Sequence, residues 1–313
     1  SRFVSNQEKV NIVRRVIEGL SGVGIEEVVL MPDYGRISQE AASTASDDIS
    51  VRFLEMPVFN SELDTIRAAK TMKEEGVSAI VTLGGDGTNR AVALGTCETP
   101  ILPLSTGTNN VFPFFIEGTL AGMAAGTVAL GLVDEEECAP KCKKLSVYKS
   151  RDMAMDLLDV ALVDIAVSAK SHVGARAIWE IDTVSQIFLA LARPDSIGLS
   201  SIGGMASPIS EGDLNGLHIE IDPQSTNKFV LAPVTAGNVS KVGIKSVSQM
   251  EPGRAYVVNS SPCTIALDGE RSIPLREGDS VTIVLSADGP PVIDPHKTLH
   301  IVGKKGILSK SLD

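Results

Sequence analysis

The stretch 79–88, AIVTLGGDGT, constrains the fold more than any other part of the chain. A short apolar run of strand length leads into a glycine-rich turn, and a segment with helical spacing follows. A strand that ends in glycines and opens a helix presents backbone N–H groups to a phosphate, because glycine has no Cβ to block close approach. One carboxylate stands inside this turn, which predicts a phosphoryl-transfer site built around Asp86. The turn consists of Gly84, Gly85, Asp86, Gly87 and Thr88.

A plain glycine-rich β-turn, with Asp86 favoured by turn chemistry alone, is the alternative interpretation. The fingerprint GxxxxGK[ST] needs a lysine that this turn lacks, and the spacing of GxGxxG differs. A second polar turn after the short strand 100–104 favours the binding interpretation, because ligands of open α/β sheets bind beyond the carboxyl ends of the strands. This second turn, which could otherwise simply cap the next helix, contains Ser105, Thr106, Gly107, Thr108, Asn109 and Asn110.

Helices and strands alternate in the first part of the chain. Apolar spacing predicts helices over 6–20 and 61–75 and strands over 25–31 and 50–56, with Ser61 as an N-cap. This alternation is typical of βαβ units and predicts a Rossmann-like α/β domain with a parallel sheet over 1–140. A first helix without a strand before it is unusual in such a fold, so we expect a leading strand to be absent from the printed chain.

The pattern changes near Leu145 to short strands separated by turns such as Asp268-Gly269. This spacing predicts a mostly β, sandwich-like domain over 141–295, with a helix within 176–191. Residues 296–313 form a tail that we expect to return to the first domain. The predicted strands cover 145–149, 153–158, 161–168, 218–221, 229–232, 254–258, 264–267 and 280–285.

Charge and composition limit the partners of the chain. A net charge of −11 gives no basic surplus to neutralise nucleic acid phosphates. The four cysteines fit no zinc spacing and are expected to be free thiols in a reducing compartment. The apolar stretch 116–133 is crowded with Gly and Ala, which favours a closely packed helix over a membrane span. We therefore expect a cytoplasmic protein without stable membrane insertion, and a homo-oligomer.

The motifs GGDGT, GTNNVFP and LDGE, on a chain that is α/β first and β second, resemble the superfamily of NAD kinases, diacylglycerol kinases and sphingosine kinases. Within it the chain is most similar to the bacterial ATP-NAD kinase/AcoX-type branch. The resemblance implies that Asp86 is the catalytic residue, with a possible water-mediated metal contact. It also implies that the remaining residues of the first turn, and Thr106, Gly107, Thr108, Asn109 and Asn110 of the second, bind nucleotide.

The resemblance also points to acceptor-binding residues. NAD kinases hold NAD with an Asn-Glu pair, and the nearest equivalent here is Val163-Asp164, so Asn is replaced by Val and Glu by Asp. The stretch 198–210 resembles their glycine-rich acceptor loop, although a plain Gly/Ser connection fits equally well. The segment 268–270 matches the DGE of the lipid kinases, although an Asp-Gly hairpin turn explains it alone. The loop residues Ser200, Ser201, Gly203 and Gly204 are expected to be exposed. The implied acceptor residues are Asp164, Ser200, Ser201, Gly203, Gly204, Asp268 and Glu270.

These patterns predict a kinase that transfers a phosphoryl group from ATP to a hydroxyl with Mg²⁺, and NAD is the first-choice acceptor. A lipid or small-alcohol kinase of the same superfamily is one alternative. A nucleotide-binding accessory protein of acetoin catabolism without turnover is the other.

Overall fold

The computed structural model describes residues 4–107, 109–151, 154–169, 181–259 and 262–309. In chain order its elements are α1 (Asn6–Gly22), β1 (Glu27–Leu30), α2 (Ile37–Ala42), β2 (Ser50–Phe53), α3 (Glu62–Glu74), β3 (Ile80–Gly84), α4 (Asp86–Gly95), β4 (Ile101–Ser105), α5 (Gly118–Ala129), α6 (Glu135–Cys138), β5 (Lys144–Arg151), β6 (Ala154–Ala161), β7 (Asp164–Ser168), a 3₁₀ turn (Ile181–Thr183), β8 (Val184–Leu189), α7 (Leu199–Ala206), β9 (Gly216–Ile221), β10 (Phe229–Thr235), β11 (Asn238–Met250), β12 (Ala255–Val258), β13 (Cys263–Leu267), β14 (Arg271–Leu275), β15 (Val281–Ser286) and α8 (Pro295–Lys305).

These elements form two compact units. The α/β unit contains the described residues up to Gly107, then Pro113–Lys141, and then those from Pro290 onward. The β unit contains 109–112 and the described part of Cys142–Gly289. An α/β segment with parallel strands followed by mostly antiparallel sheets confirms the predicted fold class.

The α/β unit has two parallel strand pairs, β1–β2 and β3–β4. Helix α3 follows the pattern read from the sequence, because Ser61 and Asp64 form a capping box at its start and Gly76, at φ +76°, follows its end. The core of this unit joins Leu102 and Leu104 of β4 to small residues of α5 and to residues of α8.

Helices α1 and α5 pack backbone against backbone. A methyl group at Gly122 of α5 would overlap the carbonyl oxygen of Val16, and one at Gly19 of α1 would overlap the carbonyl oxygen of Thr119. Glycine at both contacts allows this approach, since any Cβ would push the helices apart. The packing confirms the close-packed helix predicted within 116–133.

The β unit contains two antiparallel sheets. The larger has seven strands in the order β10–β11–β9–β8–β7–β13–β14, and the smaller has four in the order β12–β15–β5–β6. Leu145 and Ile283 of the small sheet share one core with Ile165 and Ile265 of the large sheet. Inward-facing side chains of both sheets therefore meet as in a sandwich.

Two local predictions in the β unit are wrong. The helix expected within 176–191 lies partly outside the described residues, and from Ile181 onward the chain forms a 3₁₀ turn and then strand β8. This strand pairs with β7 and β9, so its apolar run is buried on a sheet and not on a helix. Conversely, the loop expected over 198–210 contains helix α7.

Candidate functional site

The two polar turns lie side by side at one edge of the α/β unit. Strands β3 and β4 run parallel in a register that pairs Gly84 with Ser105, so both strands end together. The amide of Thr106 donates a hydrogen bond of 3.4 Å to the carbonyl oxygen of Gly84. The structure therefore brings the turn 84–88 next to Thr106 and Gly107.

The first turn is tight because strand β3 passes almost directly into helix α4. Gly85 is the N-cap residue and provides no side chain to cap the helix, and the first helical amide bond runs from Asn89 to the Gly85 carbonyl oxygen at 3.2 Å. A Cβ at Gly84 would overlap the side chain of Thr88. Glycine at this position lets the helix start close to the strand. The first amides of an α-helix have no acceptor within the helix, and they favour an anion at this end.

Asp86 is the first residue of α4, and its side chain is 9% exposed. A carboxylate in the first helical turn is stabilised by the positive end of the helix dipole. The same position would repel a phosphate unless a cation or a transferable proton were present. The location of Asp86 therefore suits a carboxylate that works on a bound phosphoryl group.

Sequence reasoning missed the buried polar residues behind this turn. Asn89 is fully buried, accepts a hydrogen bond from the Thr82 hydroxyl at 2.6 Å, and donates one to the Gly85 carbonyl oxygen at 2.8 Å. Arg90 is 2% exposed and forms an ion pair with Glu62. Two polar residues directly after GGDGT, in a helix that is otherwise apolar, were the available signal.

The rest of the second turn is divided between the two units. Ser105 donates its hydroxyl to the carbonyl oxygen of Gly107 at 3.0 Å, which fixes the first half of the turn. Thr108 lies outside the described residues, and Asn109 and Asn110 fall in the β unit. Nucleotide binding by these last three residues stays a prediction.

Asp268 has a structural task in the β unit. It is 6% exposed, and its carboxylate accepts hydrogen bonds from the amides of Leu162, Val163 and Asp164 at 2.9, 2.9 and 3.1 Å. Its own amide donates to the Asp164 carbonyl oxygen at 3.0 Å. Asp268 thus holds the turn between β6 and β7, in agreement with the alternative that a hairpin explains the DGE motif.

The hairpin itself has the geometry that an Asp-Gly pair favours. Asp268 has φ +46° and Gly269 has φ +68°, as a type I′ turn requires at its two central positions. Glu270 follows and is exposed at the hairpin tip. Asp164 is 8% exposed at the start of β7. Acceptor binding by Asp164, Asp268 and Glu270 stays a prediction. The burial of Asp164 and Asp268 does not favour it.

The residues expected to be exposed in the stretch 198–210 are buried instead. Ser200 donates to the Leu191 carbonyl oxygen at 2.9 Å, and Ser201 donates to that of Gly198 at 2.6 Å. A methyl group at Gly203 would overlap the Leu189 side chain, and one at Gly204 would overlap the backbone at Pro194. These residues attach helix α7 to the large sheet, so their predicted exposure is wrong because packing determines their positions.

His218 is a titratable group of the β unit whose pKa is shifted by burial. Its ring stacks on Phe188 with centroids 4.4 Å apart, and its Nε2 lies 3.0 Å from Oε1 of Gln186. Burial lowers the pKa of His218, and the nearby charge of Glu220 opposes this shift. The ring therefore stays neutral to lower pH than a free histidine.

Both parts of the chain match known families. Residues 3–128 match the model of the ATP-NAD kinase N-terminal domain, and residues 143–288 match that of the acetoin catabolism protein X C-terminal domain. The chain is 36% identical over 286 residues to acetoin catabolism protein X of Cupriavidus necator, across 89% of this chain and 80% of that protein. The chain belongs to the acetoin catabolism protein X family. This membership confirms the predicted branch.

One solved structure supports the fold of this chain. The yeast NADH kinase complexed with NADH matches with a TM-score of 0.51 and 14% identity, over 96% of this chain and 85% of that chain. An NAD kinase from Archaeoglobus fulgidus in complex with ATP aligns with a TM-score of 0.44 and 13% identity, over 92% and 100% of the two chains. The yeast structure shows that this family member has the NAD kinase fold.

Mg²⁺, which the family resemblance implies, is compatible with the first turn. Among the described residues, no three side chains of His, Cys, Asp or Glu gather as a metal cluster. Enzymes that act on nucleotides bind Mg²⁺ through one or two carboxylates, while substrate phosphates and water complete the shell. A single carboxylate, Asp86, beside amides that favour phosphate fits an ion that arrives with the nucleotide.

Within the described part of the chain, no helix has the length and apolar character needed to cross a bilayer.

Proposed function

We propose that this protein is a phosphotransferase that moves the γ-phosphoryl group of ATP to a hydroxyl, with NAD as the first acceptor to test. The observation that supports this proposal is the position of Asp86. It begins helix α4 at the edge where β3 and β4 end together, beside the second polar turn. Membership in a family with an NAD kinase-type domain supports the same class of chemistry.

The amides at the start of α4 would bind the phosphates. Gly85 and Gly87 carry no side chain that could block an approaching phosphate, and the helix dipole favours negative charge at this end. The adjoining backbone of Thr106 and Gly107 would bind the rest of the nucleotide. Mg²⁺, held through water by Asp86 and by the phosphates, would neutralise charge on the transferred group.

Asp86 would act as the general base. Its carboxylate takes the proton of the acceptor hydroxyl while the hydroxyl oxygen forms a bond to the γ-phosphorus. The bond from that phosphorus to the bridging oxygen breaks, and ADP leaves with the bond's electron pair. Low exposure of Asp86 keeps bulk water from competing for this role.

The acceptor is the least constrained part of the proposal. With NAD, the adenosine ribose 2′-hydroxyl would be phosphorylated to give NADP. The side chains of Ser200, Ser201 and Asp268 bond to backbone groups of the β unit, so they do not support a specific acceptor. A lipid or small alcohol would use the same chemistry at Asp86.

An acceptor screen with radiolabelled ATP and Mg²⁺ tests this function. The acceptors are NAD, NADH, a lipid extract and small polyols, and polyphosphate is offered as an alternative donor. We expect label in NADP, and we expect Asp86→Asn to reduce kcat about 10²- to 10⁴-fold with ATP still bound. Asp47→Asn, at an exposed position outside the turn, is the matched control and should leave kcat unchanged.

The result also decides between the alternatives. Label in lipid or polyol without NADP would assign a different acceptor to the same site. ATP binding without transfer to any acceptor would contradict the kinase function and favour an accessory role, which the name of the relative in acetoin catabolism makes the second candidate. Unchanged turnover of Asp86→Asn would remove Asp86 from the mechanism.

A further inference from the structure

Helix α8 carries two of the four histidines of the chain, and both are exposed. His296 and His300 are four residues apart, so their side chains leave the same face of the helix, with Cβ atoms about 5–6 Å apart. Two histidines at this spacing can hold one metal ion between their imidazole nitrogens, as they do in the HExxH motif of zinc enzymes. Whether such a pair binds a metal depends on its surroundings.

The opposite side of α8 holds the helix in place. Ile301 and Val302 are buried in the core of the α/β unit. At the start of the helix, the N-cap Asp294 accepts a hydrogen bond from the amide of Lys297 at 3.0 Å, and at its end Gly306 is the C-cap with φ +63°. Because the helix is fixed by its core side and by both caps, the histidine pair is already arranged for chelation before an ion arrives.

The fold does not use either imidazole. Within the part of the chain that the structure describes, no hydrogen bond, ion pair or ring contact involves His296 or His300. His218 differs, because its ring stacks on Phe188 and its Nε2 lies 3.0 Å from Oε1 of Gln186. The nitrogen lone pair of a neutral imidazole is a common metal ligand, and at α8 both rings are accessible to an ion.

The surface beside the pair is open. Gly303 lies on the same face of α8, three residues after His300 and seven after His296. A methyl group at Gly303 would meet no atom within 4 Å. An ion held by the two imidazoles would therefore have room for further ligands on its outer side, supplied by water or by a donor group of another molecule.

We propose that His296 and His300 form a two-histidine site for a divalent transition metal ion of the Ni²⁺, Cu²⁺ and Zn²⁺ class. Imidazole suits these ions, whereas Mg²⁺ and Ca²⁺ prefer oxygen ligands. Among the described residues, no third His, Cys, Asp or Glu joins the pair, so the site keeps open coordination positions. The inference does not depend on the proposed function, since neither histidine belongs to the candidate site.

Two lysines modulate the affinity of this site. Lys297 and Lys304 are exposed, and helical geometry places both on the side of α8 that carries the histidines. Their positive charge opposes the binding of a cation. We therefore expect Lys304→Gln to tighten metal binding a few-fold at low salt, and this gain should shrink as salt screens the charge.

Ni²⁺ binding to the untagged full chain tests the inference. Ni²⁺ is the probe because Cu²⁺ would also oxidise the free cysteines, and isothermal titration calorimetry in a buffer that does not bind metals measures the affinity. We expect one ion per chain. His296→Gln and His300→Gln should each weaken binding about 100-fold, because a single imidazole loses the chelate effect. His218→Phe, which removes a histidine that is already packed, is the control and should leave the affinity unchanged.

Two spacing variants, both made in His296→Gln, separate chelation from general surface binding. Lys304→His places a histidine four residues after His300 and should restore Ni²⁺ binding. Lys305→His places it five residues after His300, on a different side of the helix, and should not. All the substituted residues of α8 are exposed, so these variants leave the core intact.

The outcomes decide the inference. Loss of binding in His300→Gln and its recovery with Lys304→His would support a two-histidine site on α8. No Ni²⁺ binding by the wild type, binding that survives His300→Gln, or equal recovery with Lys304→His and Lys305→His would overturn it.

Discussion

The hydroxyl of Thr82 donates a hydrogen bond of 2.6 Å to the side-chain oxygen of Asn89, directly behind the turn that begins helix α4. Thr82 is on β3 and Asn89 is one turn into the helix, so this bond fixes the helix start against the strand. The amide group of Asn89 also bonds to the Gly85 carbonyl oxygen. Thr82 and Asn89 lie outside the GGDGT motif, but their hydrogen bonds hold the backbone of that motif in place.

We expect Asn89→Ala to lower the free energy of unfolding by about 1–3 kcal/mol, because it leaves buried polar groups without partners. Thr82→Val removes the other partner, and the double variant should show a coupling energy of about 0.5–3 kcal/mol. Urea unfolding measures all three variants. Additive effects of the two substitutions would show that the hydrogen bond does not position the helix.

The α1–α5 contact should tolerate no added side chain. We expect Gly122→Ala to lower the free energy of unfolding by about 1–3 kcal/mol, since the new methyl group overlaps the Val16 carbonyl oxygen. Gly303→Ala is the matched control, because it lies in helix α8 with open space around it. The control should raise stability by about 0.5–1 kcal/mol, and equal effects at both sites would contradict the close packing.

Removing the Asp268 carboxylate should destabilise the β unit. Asp268→Ala leaves the amides of 162–164 without their acceptor and places alanine at φ +46°, so we expect a loss of at least about 3 kcal/mol. Glu277→Gln, at an exposed position in the turn between β14 and β15, should change stability by less than about 0.5 kcal/mol. Thermal unfolding checks both. A small effect of Asp268→Ala would contradict its structural role and would favour a role in ligand binding.

His218 should make stability depend on pH. Its folded pKa is lowered by burial, so the unfolded chain takes up a proton near pH ~6.5 while the folded chain does so only at lower pH. The stabilising contribution is therefore complete above about pH 6.5 and is lost as the pH falls toward the folded pKa.

The variant His218→Phe keeps the stack on Phe188 and removes the titration. We expect its unfolding free energy to vary less than that of the wild type between about pH 6.5 and 5, and urea unfolding at several pH values measures this difference. Parallel curves for the two proteins over this range would show that His218 does not cause the pH dependence.

The sequence predicted the elements whose signal is local. The N-cap at Ser61 and the glycine-ended strand before α4 were both predicted from neighbouring residues, and the small residues of α5 predicted close packing. The fold class followed from the alternation of these elements. The sequence also placed both polar turns at the carboxyl ends of predicted parallel strands, whereas the register that pairs Gly84 with Ser105 came only from the structure.

The rest depended on contacts between residues far apart in the chain. The apolar run of β8 suits a helix or a strand, and only its pairing with β7 and β9 decides between them. Ser200 and Ser201 lie in a stretch that resembles a ligand-binding loop, but in the folded chain their hydroxyls bond to backbone carbonyl oxygens. The structural role of Asp268 could not be predicted either, because the amides that donate hydrogen bonds to its carboxylate lie more than a hundred positions away in the sequence.

Helix α8 completes the α/β unit from the far end of the chain, since Ile301 and Val302 pack in the same core as Leu102 and Leu104. During synthesis on the ribosome this core stays unfinished until those residues emerge, while the strands of the β unit have all been made by then. The early half of the polypeptide must therefore wait for the late half, and a nascent chain stopped before Pro295 would expose the apolar surface of α5 to chaperones and proteases.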